Sequence, residues 1–169
     1  MWSPMAMSST SASIRDAMLW FEDFPEGEVK VLGSKLVDAD EVVAFARDFD
    51  PQPMHTDPEA AKDSYFGGLI ASGWHTCAML MRIMCDGFLL NSASMGSPGV
   101  DSVNWIRPVR PGDTITVTRT TLAARASASR PDMGIVKTSY AIRNQEGELV
   151  MEMVGNGMFQ RRPKAEATS

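Results

Sequence analysis

The order of apolar and polar positions divides the chain into a helical half and an alternating half. Residues 28–37, EVKVLGSKLV, read as a strand interrupted by Gly33. Asp38 then caps a helix, with Glu41 three residues on as an acidic form of the capping box. Val42, Val43, Phe45, Ala46 and Phe49 follow at helical spacing. This amphipathic helix ends at Asp50-Pro51, because the residue before a proline is steered out of the helical region. Asp57-Pro58-Glu59 starts a second, short helix with a cap, a proline at the first position and an acid in the first turn. Upstream, Leu19, Trp20, Phe21 and Phe24 can anchor the chain, so order is predicted to begin near Met18.

From Gly73 the pattern changes. WHTCAMLMRIMCDGFLL is apolar on nearly every side, with Arg82 and Asp86 as its only charges. A helix of that kind is predicted to be buried, and its 17 residues would span about 25 Å. The rest of the chain can wrap it. VDSVNWIRPV alternates toward Trp105, and RPVRPGD turns. TITVTRTTLAARASAS places Ile115 and Val117 on one face and threonines opposite. After a loop at SRPDMG, IVKTSYAIRN alternates Val136, Tyr140 and Ile142 with polar neighbours. NQEG turns into a last strand, ELVMEMVGNGMF. Period-two segments joined by short turns predict an antiparallel sheet. The expected fold is therefore α+β, an antiparallel sheet wrapped around a long central buried helix. One domain is expected over 18–162, between a flexible Ser-rich leader at 1–17 and a flexible tail at 163–169. The whole charged end, RRPKAEATS, reads as fraying.

Composition narrows the function classes. A chain of 169 residues can bury a sizeable core as one domain. A net charge of -5 and a pI near 5.0 argue against nucleic-acid and anionic-membrane partners. No apolar run approaches the roughly 20 residues of a membrane span, and MWSPMAMSSTSAS lacks the basic start and apolar run of a signal peptide. Cys77 and Cys85 lie eight apart on the predicted helix, about 12 Å at helical rise, too far for a disulfide. Free thiols fit a reducing compartment, and the expected location is cytoplasmic. Two histidines without metal-ligand spacing predict no metal site.

One segment concentrates chemistry. DFDPQPMHTDP at 48–58 holds three aspartates, three prolines and His55, one of only two histidines. Prolines and aspartates also build plain turns. The segment resembles the signature of MaoC-like dehydratases and (R)-specific enoyl-CoA hydratases, which runs Asp-x-Asn-Pro-x-His. Here it reads Asp50-Pro51-Gln52-Pro53-Met54-His55, with Gln52 in place of the asparagine. LIASGWHT at 69–76 is similar to the family's entry to the central helix, and WIRPVRPGDTITV at 105–117 to the strand-turn-strand that follows it.

The resemblance implies a hotdog fold, a homodimer or assembly of dimers, and a hydro-lyase acting on enoyl- or 3-hydroxyacyl-CoA thioesters with no cofactor. Asp50 and His55 would be the acid–base pair, positioned around one water by a proline-stiffened backbone. Gly73 would give an oxyanion N–H at the helix start, with Ser72, Trp74 and Gln52 as further substrate-binding residues. Arg107 and Arg110 would meet the CoA phosphates or serve only as a solvated turn. The family also places a hydroxyl one to two turns into the helix to support the aspartate. The aligned position here is Met81, Ala78 lies alongside, and Thr76 is the nearest hydroxyl. His75 reads as a core histidine with a satisfied ring nitrogen. The alternatives are a hotdog acyl-CoA thioesterase, for which GWHTCAML lacks an acid, and a non-catalytic acyl-CoA-binding protein.

Overall fold

A computed structural model describes residues 18–164. The leader at 1–17 and the tail beyond 164 lie outside the described residues. Strand β1 spans Val29–Leu36, and helix α1 spans Ala39–Phe49. The Asp38 carboxylate accepts from the Glu41 N–H at 2.9 Å, the predicted cap. Asp50 closes α1, its own N–H donating to the Ala46 carbonyl. Two short helices follow, α2 at Pro53–Thr56 and α3 at Pro58–Lys62. The first is a helical turn where the prolines and aspartates of the sequence suggest a plain turn. Pro53 at its first position fits a helix start, and His55 rides on that single turn.

Helix α4 spans Gly73–Gly87, 15 residues rather than the 17 read from the sequence. The chain then makes a tight turn at Leu89–Asn91. Strands β2 (Gly99–Trp105), β3 (Thr114–Ala126), β4 (Met133–Arg143) and β5 (Leu149–Gln160) complete the fold. They form one antiparallel sheet in the order β1-β3-β4-β5-β2. Gly33 permits the bulge in β1, with φ +155°, where α4 packs Ile83 against the strand. The arrangement is the hotdog fold, α+β as expected, with α4 lying on the concave face of the sheet.

Burial of α4 is one-sided, which corrects the all-round reading. His75, Thr76, Met79, Leu80, Ile83 and Met84 are buried against the sheet and α1. Trp74 and Met81 are 61% and 48% exposed, so the helix presents an apolar outer face. The inward face of β3 also departs from expectation. Ile115 and Val117 are followed inward by Arg119 and Thr121, both buried. The tail is less free than its charge suggested. Arg161 and Arg162 pair with Glu22 and Asp23, fastening the end of β5 to the first turn of the described chain.

Candidate active site

The site forms where the end of α1, the turn of α2 and the start of α4 meet. Asp50 leaves the helical conformation (φ -153°, ψ 69°), and the Gln52 N–H folds back onto the Asp50 carbonyl at 2.8 Å. The Ile70 N–H bonds to the Met54 carbonyl and the Ala71 N–H to the Val109 carbonyl. Residues 70–72 are thus clamped between the histidine turn and the loop after β2.

His55 is 4% exposed, and its Nδ1 lies 2.8 Å from the Ile70 carbonyl. A carbonyl only accepts, so Nδ1 is the protonated nitrogen and donates to it. That contact fixes the tautomer. Nε2 turns toward Asp50 Oδ2 at 3.5 Å, beyond a firm hydrogen bond. In the neutral ring Nε2 is an acceptor facing a carboxylate, also an acceptor. A water donating one hydrogen to each satisfies both.

Asp50 is held from two sides. The Ser72 hydroxyl donates to Oδ2 at 2.7 Å, and the Gln52 amide donates to Oδ1 at 2.7 Å. These bonds, Ser72 first, lower the Asp50 pKa against the opposing effect of partial burial, and the nearby His55 adds to them. Asp50 is therefore kept as an anion. The hydroxyl expected one to two turns inside the helix comes instead from its cap. Ser72 sits just before α4, where its oxygen also accepts from the Trp74 N–H at 3.3 Å. A small hydroxyl residue directly before a helix-starting glycine was the available signal. Met81 is exposed far along α4, and the Thr76 hydroxyl points back to the Ser72 carbonyl at 3.4 Å.

Gly73 opens α4 beside the pair. Its N–H is one of the amides a helix start leaves without an intrahelical partner. A Cβ here would come within 2.6 Å of the Trp105 ring, so close packing of Trp105 is itself a reason for glycine. The Trp105 indole donates to the Gly73 carbonyl at 3.0 Å and meets Trp74 edge-on at 5.3 Å. These groups border a cavity of about 370 Å³ that contains Asp50, His55, Gly73, Trp74 and Arg107 in its wall. Thr76, read from the sequence only as a hydroxyl near Asp50, also lines it, as do Trp105 and Val150, which were not read as site residues.

Arg107 is half-exposed and 3.6 Å from Glu148. Arg110 is not in the cavity wall. It donates to the Phe66 carbonyl at 2.6 Å and so braces the loop whose Phe66 lines the cavity. His75 lies outside the site as well. It stacks on Phe45 with ring centroids 4.7 Å apart, and its buried Nδ1 has no partner, contrary to the satisfied ring expected. Among the described residues no group of three or more His, Cys, Asp or Glu could hold a metal ion, and no helix is long and apolar enough to cross a membrane.

Comparison with known proteins fits this geometry. The MaoC-like domain family matches residues 21–140, and the chain belongs to that family. Its fold is similar to the MaoC-like dehydratase from Rhodospirillum rubrum, with 41% identity and a TM-score of 0.79 over 86% of this chain and 99% of that one. It is also similar to the (R)-hydratase from A. caviae involved in PHA biosynthesis, with 25% identity and a TM-score of 0.66 over 84% and 99% of the two chains. Among curated proteins, the uncharacterized protein YdeM of Bacillus subtilis (strain 168) is 29% identical over 131 residues, 78% of this chain and 92% of that protein.

Proposed function

We propose that this hydratase/dehydratase-family protein adds water across the double bond of an enoyl-CoA thioester, or removes it from the 3-hydroxyacyl-CoA. The observation that carries this reading is the fixed His55 tautomer, its free Nε2 facing the Asp50 anion inside a cavity at the start of α4. Both relatives described as dehydratase or hydratase support it.

The steps use only this chain's groups. A water held between Asp50 and His55 gives a proton to Nε2 as its oxygen bonds to the β-carbon. The π electrons move toward the thioester carbonyl, and the Gly73 N–H stabilises the developing enolate oxygen. The Asp50 anion stabilises the imidazolium. Nε2 then returns its proton to the α-carbon, which regenerates the neutral ring and completes the addition of one water. An imidazole suits both transfers near neutral pH. No cofactor takes part in this scheme.

The functional unit in this reading is a homodimer joined along β2. Among the described residues that strand is a sheet edge, paired with β5 alone. Beside it lie exposed Trp105, Ile106 and Val100 and the outer face of α4. An unpaired edge next to exposed apolar side chains favours a second copy. Light scattering should give twice 18.4 kDa or an even multiple; a monomer at micromolar concentration would refute this part.

The activity test is loss of the enoyl-thioester absorbance across a panel of enoyl-CoAs, with product analysis. Hydration gives a 3-hydroxyacyl-CoA and no free thiol. Release of CoA thiol at the rate of absorbance loss would replace the reading with a thioesterase. Tight binding without reaction would replace it with an acyl-CoA-binding protein.

A further inference from the structure

The concave face of the sheet holds a second polar region that the hydration chemistry does not use. In register, Arg119 of β3 faces Tyr140 of β4, which faces Met153 of β5. Two residues along β4, Thr138 lies between Thr121 and Gly155. Arg119, Thr121, Thr138 and Tyr140 are all buried. On β5 the same inward face then reads Gly155 and Gly157, where alternation calls for apolar side chains. The missing side chains leave a cavity of about 250 Å³ toward the far end of α4. It shares no lining residue with the Asp50–His55 cavity, and exposed Gly96, Ser97 and Val100 form part of its rim.

Arg119 dominates this space. It is 1% exposed, and its guanidinium lies 5.0 Å and 5.1 Å from the ring centres of Phe24 and Phe88. Nη2 pairs with Glu28, while the buried Nε has no hydrogen-bond partner among the described residues. Thr121 Oγ1 is also buried without one. Leaving such donors unpaired costs about 1–3 kcal/mol each, more for a charged group. Apolar residues of similar volume often serve a core as well as a buried ion pair or better. The Glu28 pair and the two rings hold Arg119 in place, but packing alone does not require a charge there.

The donor set says what fits. A guanidinium can only donate, so an occupant must bring an acceptor. Tyr140 lines the cavity beside Thr138, and its phenol, protonated at neutral pH, is a second donor. Glu28 already balances the charge of Arg119, so a ligand carboxylate would add an uncompensated buried charge. The remaining wall is apolar and adaptable, with Met84, Leu89, Met153 and Phe159. The volume lies below the roughly 300–1,000 Å³ of drug-sized pockets.

We propose that this cavity binds a short aliphatic chain carrying an uncharged oxygen acceptor, such as a ketone, ester or amide, read by Arg119 and Tyr140. Two sources share that chemistry. One is a free small molecule. The other, which rests on the proposed hydration reaction, is the far end of a long acyl chain whose thioester sits at Asp50 and His55. From Gly73 to Met84 the helix advances about 16 Å, and along that path Cys77 Sγ rests 3.9 Å from Met151 Sδ.

The test uses the full chain with methyl-labelled methionines and titrates 2-octanone, octanoate and n-octane by NMR. The expected result is saturable shifts of the Met84 and Met153 methyls with 2-octanone, weaker binding of the other two, and a Kd raised about tenfold by Tyr140→Phe or Thr138→Val. No saturable shift with any probe, equal binding of n-octane, tighter binding of octanoate, or affinity unchanged in both variants would each overturn the proposal. This binding arm needs no turnover, so it stands or falls apart from the hydratase reading. Inhibition then separates the sources. Competition by 2-octanone against a long enoyl-CoA but not crotonyl-CoA assigns the cavity to the acyl end, and lack of competition with either assigns it to a free ligand.

Discussion

Asp50–His55 and Glu28–Arg119 are both pairs of a carboxylate with a nitrogen side chain, and they are built in opposite ways. The first pair is five residues apart in sequence, held 3.5 Å apart at the wall of an open cavity. The second joins β3 to the chain just before β1, 91 residues away, in direct contact beneath two aromatic rings. An imidazole can take and return a proton, whereas a guanidinium never gives one up. In the proposed reaction a water reaches both members of the loose pair from the open cavity beside them. The tight pair has no titratable member on the nitrogen side, so it can recognise but cannot catalyse. Proximity of opposite charges alone therefore does not mark an active site. The pair proposed for catalysis differs in having a nitrogen that can release its proton and open cavity space beside it for a water.

The sharpest way to break this contrast is to remove the moving proton. His55→Ala and Asp50→Asn should each lower kcat by about 10²-fold or more, while thermal melts show both variants folded. Tyr140→Phe, beside the tight pair, should leave kcat on crotonyl-CoA unchanged. Near-wild-type turnover by His55→Ala would end the two-residue mechanism.

A smaller effect is expected from Ser72, a positioning residue. Ser72→Ala should lower kcat about tenfold, the scale of one hydrogen bond to a charged group, and cost about 1 kcal/mol of stability as a lost cap. The diagnostic readout is the pH profile. The Ser72 hydroxyl is the main cause of the lowered Asp50 pKa. Without it the carboxyl holds its proton to higher pH, and the acid limb of kcat/KM should move up. A drop in kcat with an unmoved acid limb would mean that Ser72 acts only as a cap.

Most of the fold was legible because its signals are local. The Asp38 cap, the break at Asp50-Pro51 and the alternation in β3, β4 and β5 each depend on neighbouring residues, and each element lies where its pattern placed it. Asp50 and His55 were legible for the same reason, being joined by one stiff segment. The support for Asp50 was not, because Ser72 reaches it from 22 residues away, through the clamp of residues 70–72 onto Met54 and Val109. The outer face of α4 was misread for a related reason. An apolar side chain such as Met81 looks the same in a sequence whether its own sheet covers it or it lies exposed. Arg119 was missed because its inward orientation follows from strand alternation, whereas its charge argued for solvent.

The two arginines near the Asp50–His55 cavity extend the comparison to a few-fold effects. Arg107 lines the cavity on a half-exposed side chain, while Arg110 is tied to the Phe66 carbonyl. Arg107→Ala should raise KM for CoA thioesters about fivefold with kcat unchanged, the pattern of lost uniform binding. Added salt should shrink the difference. Arg110→Ala should also raise KM, but through the loosened Phe66 loop, and with a lower melting temperature. If Arg107→Ala has no effect on KM, the half-exposed arginine is only a solvated turn residue.

The smallest expected effect concerns the other histidine, which has neither a carboxylate partner nor a cavity. His75 stacks on Phe45, and burial lowers its pKa below the ordinary 6.5, with Glu41 opposing the shift and Lys35 adding to it. At pH above 6.5 the ring is neutral in both folded and unfolded chains, and its contribution to stability is fully present. As pH falls below 6.5 the unfolded chain takes up a proton that the folded chain refuses, so stability is lost until the folded ring also titrates. His75→Phe keeps an aromatic ring against Phe45 and removes the titration. The urea denaturation midpoint of the variant minus that of the wild type should therefore rise as pH falls from 7.5 to 5.5, the wild type losing more. His55→Ala, measured alongside, controls for the only other histidine of the chain. Parallel pH dependences for wild type and His75→Phe would show that His75 takes up its proton equally in the folded and unfolded chains, and that burial alone does not keep it neutral.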